Sequence, residues 1–109
     1  RMVVITGIHC RGGIATVTRD LSCCDDVSVF IQPRVGRDYP GTGDIFASVL
    51  LGRLLSGATA AQAAEDASRF SALCAERTAS LCPDEPVRDG VALEPLLGVL
   101  ATGRFRDEK

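Results

Sequence analysis

What this sequence has least of is lysine. Eleven of its 12 basic residues are arginines, and the single lysine is Lys109, the last residue. A phosphate site that depends on a lysine ammonium is therefore excluded from nearly the whole chain. An excess of one charge is lacking too: 12 basic and 14 acidic residues, spread evenly, leave a net charge of −2. No basic tract offers a nucleic-acid footprint, and no acidic tail offers a solvating one. No apolar run approaches the ~18 residues that a membrane span requires. The opening residues, Arg1-Met2-Val3-Val4-Ile5-Thr6-Gly7, form too short an apolar stretch for a signal peptide and lead into polar turns. The sequence has neither an internal repeat nor a low-complexity segment. Cysteine is present but in the wrong pattern for a metal: Cys10, Cys23, Cys24, Cys74 and Cys82 are five in number, with no C-x-x-C spacing. Neighbouring Cys23 and Cys24 cannot easily serve one tetrahedral ion with a single histidine in the chain. Free thiols in a reducing cytoplasm are expected, and no metal site.

What is present is the composition of one globular domain with a modest core: 109 residues, 46% hydrophobic and 24% charged. The run "MVVIT", closed by Gly7, reads as a fully buried central strand. "GIHCRGG" follows as a turn. Ile14 to Thr18 alternates and reads as a second strand, "RDLSCCDD" as a hairpin-like connection, and Val27 to Ile31 as a third strand stopped by Pro33. A polar loop is expected from Arg34 to Pro40. Ile45, Phe46, Val49, Leu50 and Leu54 then recur at helical spacing, with an end expected near Gly57. Thr59 is placed to cap a second helix, whose small-residue face would be Ala63, Ala64, Ala67, Phe70, Ser71, Cys74 and Thr78. "LCPDEPVRDG" reads as a loop. In the apolar run Val91 to Leu100, Pro95 either opens a last helix or interrupts one. The tail "GRFRDEK" is expected to fray. Three strands followed by two or three helices suit the end of a layered α/β domain. Nothing before the Val-Val-Ile strand supplies it with partners, so residues 1–109 read as the later part of a longer fold.

The chemistry concentrates in "YPGTGDIF", Tyr39 to Phe46. Gly36 and Gly41 have P-loop spacing, but Thr42-Gly43 stands where Lys-Ser/Thr is required. Gly41-x-Gly43 opens a dinucleotide fingerprint, but Phe46 occupies the third glycine position and would keep the helix from packing closely. What remains is a glycine loop feeding the first turn of a helix. Backbone N–H groups there have no acceptor in the helix, the dipole favours negative charge, and glycine lets an oxygen approach. Thr42 adds a hydroxyl. Such a pocket suits charge developing on a transferred phosphoryl group. Asp44, a carboxylate one residue further on, either complements the helix dipole or accepts a proton from an attacking hydroxyl. Other candidates are plainer. His9 and Cys10 would face opposite sides of a strand, which argues against a dyad. Arg34 and Arg37, in the loop before the motif, either reach toward phosphate or, the plainer reading, are solvated loop charges.

Gly41-Thr42-Gly43-Asp44, with Ile45-Phe46-Ala47-Ser48 and a leucine-rich helix after it, resembles the signature near the end of ribokinase-fold kinases. GTGD preceded by Tyr-Pro resembles the branch of pyridoxal (pyridoxine, pyridoxamine) kinases. "VVITG", "IATVT" and "VSVFIQPRV" are similar to that family's nucleotide-side strands, and "VRDGVALEPLL" to a C-terminal segment of bacterial members. The resemblance spans essentially the whole chain, yet such kinases are more than twice as long. It implies the C-terminal part of a ribokinase-like three-layer α/β/α domain over residues 1–109, in a cytoplasmic enzyme using ATP and Mg²⁺. Gly41, Thr42 and Gly43 would then form the anion hole. Asp44 would be the base that deprotonates the 5′-hydroxymethyl group of a B6 vitamer, and Thr6 and Gly7 would stand where a strand end meets ATP. The alternative for Thr6-Gly7 is a plain strand-ending turn. Related hydroxymethylpyrimidine kinases carry Cys in place of Asp44, which argues against them, and sugar kinases share the fold. The vitamer-binding and lid elements would lie upstream, so the chain alone is expected to turn over little substrate or none. A rival expectation is a non-catalytic, nucleotide-binding or oligomerising module, in which homodimerisation covers the edge of the "MVVIT" strand.

Overall fold

Alternating β-branched residues build three strands, β1 (Met2–Cys10), β2 (Gly13–Asp20) and β3 (Val27–Gln32). The computed structural model describes residues 1–21, 27–33, 41–81 and 97–102. The Cys23-Cys24 pair, Cys82, the expected loop from Arg34 to Pro40 and the segment around Pro95 lie outside the described residues. The strands form one antiparallel sheet in the order β1-β2-β3. Cys10 pairs with Gly13, so Arg11-Gly12 is the whole hairpin loop. The turn expected across "GIHCRGG" is therefore mostly strand. β1 runs on through Ile8 and His9 because a bulge at Thr6-Gly7 resets its register.

Pairing fixes which side chains share a face. Val4, Thr18 and Ser28 stand in one row, and Thr16 and Phe30 in the next, on the face turned toward the helices. The opposite face carries Val3-Arg19-Val27, then Ile5-Val17-Val29, then Ile8-Ala15-Ile31. The bulge is what puts Ile8 on this second face, since unbroken alternation would have turned it the other way.

Helix α1 (Thr42–Leu55) ends as its sequence demands. Gly57 takes a left-handed backbone at φ 102°. Its N–H bonds to the Leu54 carbonyl and the Ala58 N–H to the Arg53 carbonyl, a Schellman closure. Thr59 then caps α2 (Ala60–Leu81). The Gln62 N–H donates to Thr59 Oγ1 at 3.1 Å, while the Thr59 N–H reaches back toward Gln62 Oε1. The small-residue face of α2 is buried as the spacing predicts, with Ala63, Ala67, Phe70 and Cys74 fully inaccessible. Phe46 and Val49 from α1 meet Ala67, Phe70 and Cys74 from α2 in the core. Val4 of β1 and Val99 and Leu100 of α3 (Leu97–Thr102) pack against that cluster. Arg53 bridges the helices through Asp66 at 2.9 Å, a partly exposed pair worth under ~1 kcal/mol. The Arg69 guanidinium lies 4.9 Å from the centre of the Phe30 ring and ties α2 to β3.

Among the described residues the helices cover one face of the sheet, giving two layers of an α/β arrangement. The expectation of a fully buried central strand at residues 3–5 is corrected. β1 lies at the edge of the sheet, and Val3 and Ile5 are 48% and 53% exposed. Val27, Val29 and Ile31 are similarly bare on the far side of the same face.

Candidate functional site

The glycine loop enters α1 through a left-handed residue. Gly41 is the N-cap at φ 95° and ψ −9°, a conformation costly for any residue with a Cβ. Its carbonyl accepts the first helical bond, from the Ile45 N–H at 3.1 Å. The N–H groups of Thr42, Gly43 and Asp44 precede that bond, and first-turn N–H groups of a helix have no acceptor within it. Among the described residues no side-chain hydrogen bond caps Gly41. Among the described residues a Cβ placed at Gly41 or Gly43 would meet nothing within 4 Å, which leaves the glycines open on that side. Asp44 is exposed in the first turn.

Immediately beyond it the chain is anchored. Phe46 is buried in the core and Ile45 packs beside it. Phe46 stands where a dinucleotide fingerprint has the third glycine that lets the helix lie close, and here it fills the core instead. The loop is thus an open, glycine-lined helix start held at a fixed place by the residues that follow Asp44.

Thr6 and Gly7 stand elsewhere on the same scaffold. Ile5 pairs with Val17 and Ile8 with Ala15, leaving Thr6 and Gly7 together opposite Thr16. The strand does not end here; it bulges, with Gly7 left-handed at φ 78°. The Thr6 hydroxyl lies 3.1 Å from that of Thr16, which lies 3.0 Å from the Ser68 hydroxyl on α2. Thr16 and Ser68 were not singled out as site residues by sequence reasoning. The available signal was the Thr-Val-Thr alternation of β2, which turns two hydroxyls toward the helices. Val4, two residues before Thr6, and Ile45, one residue after Asp44, pack on one cluster, which ties β1 and α1 together.

His9 and Cys10 are both exposed, on successive positions of β1. Alternation points them to opposite faces, so the strand does not assemble a dyad. Cys74 is wholly buried, and burial pushes its thiol up to about 11 from 9.0. It is inert packing rather than a nucleophile. Arg34 and Arg37 lie outside the described residues. Among the described residues no three His, Cys, Asp or Glu side chains cluster as a metal site would require. No helix there is long and apolar enough to cross a membrane.

No protein-family model matches the sequence, and no curated protein matches it significantly. Solved structures do. A chain assigned as a phosphomethylpyrimidine kinase from Bacteroides thetaiotaomicron superposes with a TM-score of 0.78 at 23% identity. The match covers 99% of this chain and 35% of that one. A pyridoxal kinase from Lactobacillus plantarum superposes with a TM-score of 0.79 at 26% identity, covering 93% of this chain and 35% of the kinase. The fold is therefore a partial ribokinase-like α/β fold, and the chain spans about a third of the length of these two kinases.

Proposed function

We propose that residues 1–109 are the nucleotide and anion-hole portion of an ATP-dependent kinase that phosphorylates the 5′-hydroxymethyl group of pyridoxal or a related B6 vitamer. The observation that carries this reading is the open glycine start of α1 with Asp44 beside it, on a fold shared with two kinases. In this reading Gly41, Thr42 and Gly43 direct N–H groups and a hydroxyl at the transferring phosphoryl oxygens, where charge builds in the transition state. Asp44 takes the proton of the vitamer hydroxyl as its oxygen attacks the γ-phosphorus. The bond from that phosphorus to the bridging oxygen breaks, and ADP leaves with the electron pair. Thr6 and Gly7 meet the nucleotide from the β1 side. The donor set fits Mg²⁺ held largely by phosphate oxygens and water, with Asp44 the one acidic side chain in the first turn of α1. When bound, the ion would offset charge on the phosphates. Asp44 favours this reading over a hydroxymethylpyrimidine kinase, for which the family resemblance implies Cys at that position.

The test uses a longer polypeptide that includes residues 1–109 and turns over pyridoxal. Asp44→Asn there should lower kcat by about 10²–10⁴-fold while ATP still binds. Unchanged turnover would reduce Asp44 to a partner of the helix dipole. The 109-residue chain by itself should bind ATP but phosphorylate no pyridoxal, and measurable turnover would refute the division of labour.

A second reading, a non-catalytic module that self-associates, is favoured by the bare apolar face of the sheet. Sedimentation of the isolated chain tests this second reading, since a soluble monomer would rule out self-capping.

A further inference from the structure

We infer that Thr16 and Ser68 are positioning residues that hold the Thr6-Gly7 bulge in the shape that meets the nucleotide; this rests on the nucleotide reading above. A bulge frees two residues from the ladder, so something other than strand pairing must fix them. Here three hydroxyls do so. Thr6 Oγ1 is 3.1 Å from Thr16 Oγ1, and Thr16 Oγ1 is 3.0 Å from Ser68 Oγ. Each hydroxyl has one proton and two lone pairs, so Thr16 can donate to one neighbour while accepting from the other. Thr16 is 3% exposed and Ser68 8%, so no bulk water stands ready to replace a lost partner. The chain of hydroxyls runs from the bulge, through the layer between sheet and helix, to the middle of α2.

Two further observations give this link a ligand-side consequence. The hydroxyl of Thr6, an otherwise exposed residue, bonds to Thr16 and ties the bulge to β2. Gly7 is left-handed at φ 78°, and a Cβ there would meet nothing within 4 Å, so the backbone can be approached closely from outside. The bulge thus leaves its backbone open to a nucleotide, and the inward hydroxyls set its angle. Valine at position 16 would occupy nearly the same volume and suit a strand as well. What threonine adds is the link.

The experiment uses the full 109-residue chain, isotopically labelled, as wild type and as Thr16→Val, Thr16→Ser and Ser68→Ala. Two quantities are read below the melting transition: the Gly7 amide chemical shift, and the Kd for a non-hydrolysable ATP analogue. Thr16→Val and Ser68→Ala should each move the Gly7 resonance and weaken the analogue by about threefold to tenfold, the worth of one hydrogen bond. Thr16→Ser, which restores the hydroxyl, should keep both near wild type. Loss of global stability alone would not alter the affinity of the folded protein. Wild-type binding that Thr16→Val and Ser68→Ala leave intact overturns the inference alone. So does a Thr16→Ser variant as impaired as Thr16→Val, because the missing methyl would then be the cause. A wild-type chain that binds no analogue overturns the nucleotide reading and this inference with it. Should Thr16→Val fail to fold, Ser68→Ala decides on its own.

Discussion

Cys74 shows what a single buried thiol does to this fold. It is fully inaccessible in the core beside Phe46 and Phe70, and burial raises its thiol from 9.0 to about 11. The neutral form is thus favoured in the folded chain. Below pH 9 the thiol is protonated folded or unfolded, and its full contribution to stability is present. Between pH 9 and about 11 the unfolded chain ionises first, so stability falls as pH rises, and the contribution is gone above the folded value. Each tenfold change in proton affinity is worth roughly 1.4 kcal/mol, so the loss is on the order of 2–3 kcal/mol. Urea unfolding at pH 8 and pH 10.5 should show a steeper decline for the native chain than for Cys74→Ala. Equal slopes would mean that the thiol titrates normally. The burial of Cys74 was legible from its place on a small-residue helical face, and so was the Thr59 cap, because both depend on spacing within one element. The link from Thr6 to Ser68 was not, because it joins residues 62 positions apart through Thr16 on a second strand.

Elements are held here by the places where their backbones come close, and β2 meets the end of β3 in such a place at Gly13. Gly13 opens β2 at φ 138°, and a Cβ on it would collide with the Gln32 carbonyl oxygen and come within 2.9 Å of Pro33 Cα. Those atoms belong to backbone on and just after β3, which cannot swing aside as a side-chain tip would. Gly13→Ala should therefore separate β2 from β3 at this end and cost about 2–3 kcal/mol, combining left-handed strain with the clash. Chemical denaturation measures the loss, and a cost below ~0.5 kcal/mol would show that β3 yields freely. The second glycine of "RGG" reads as a turn residue, and its service to a strand 19 residues away is invisible without the pairing. The same holds for the bulge. Thr6-Gly7 looks like a strand terminus because Gly usually is one, whereas here glycine allows the strand to change register and continue to Cys10.

At the scale of the whole molecule, the largest departure from expectation is itself informative. "MVVIT" has the composition of a strand buried on both faces, yet only its Val4 side packs on the helices; Val3 and Ile5 are bare. Helix α1 behaves alike: Phe46 and Val49 are buried, while Leu51 and Leu55, on the other side, are 58% and 79% exposed. A helix or strand that is apolar all round is the kind found deep inside a larger body. The two kinases sharing the fold are each matched over only 35% of their length, so both surfaces are candidates for cover by elements beyond these 109 residues. In the isolated chain, six apolar side chains, Val3, Ile5, Ile8, Val27, Val29 and Ile31, form one exposed face. Monomeric proteins seldom show contiguous apolar patches larger than a few hundred Å². The isolated chain should therefore associate as its concentration rises and bind a hydrophobic dye. Ile5→Lys with Val29→Lys should reduce both effects. Ile5 and Val29 are 53% and 59% exposed, so little burial is forfeited, and the change in stability should stay within about 1 kcal/mol, ~0.5 for each surface site. Sedimentation velocity with parallel urea unfolding makes the decisive comparison. A wild-type chain that stays monomeric and dye-free would mean that this face is satisfied without a partner. A double variant that unfolds outright would mean that the face is part of the core of this chain. Retained folding with lost association would identify it as a surface shaped for cover by another layer.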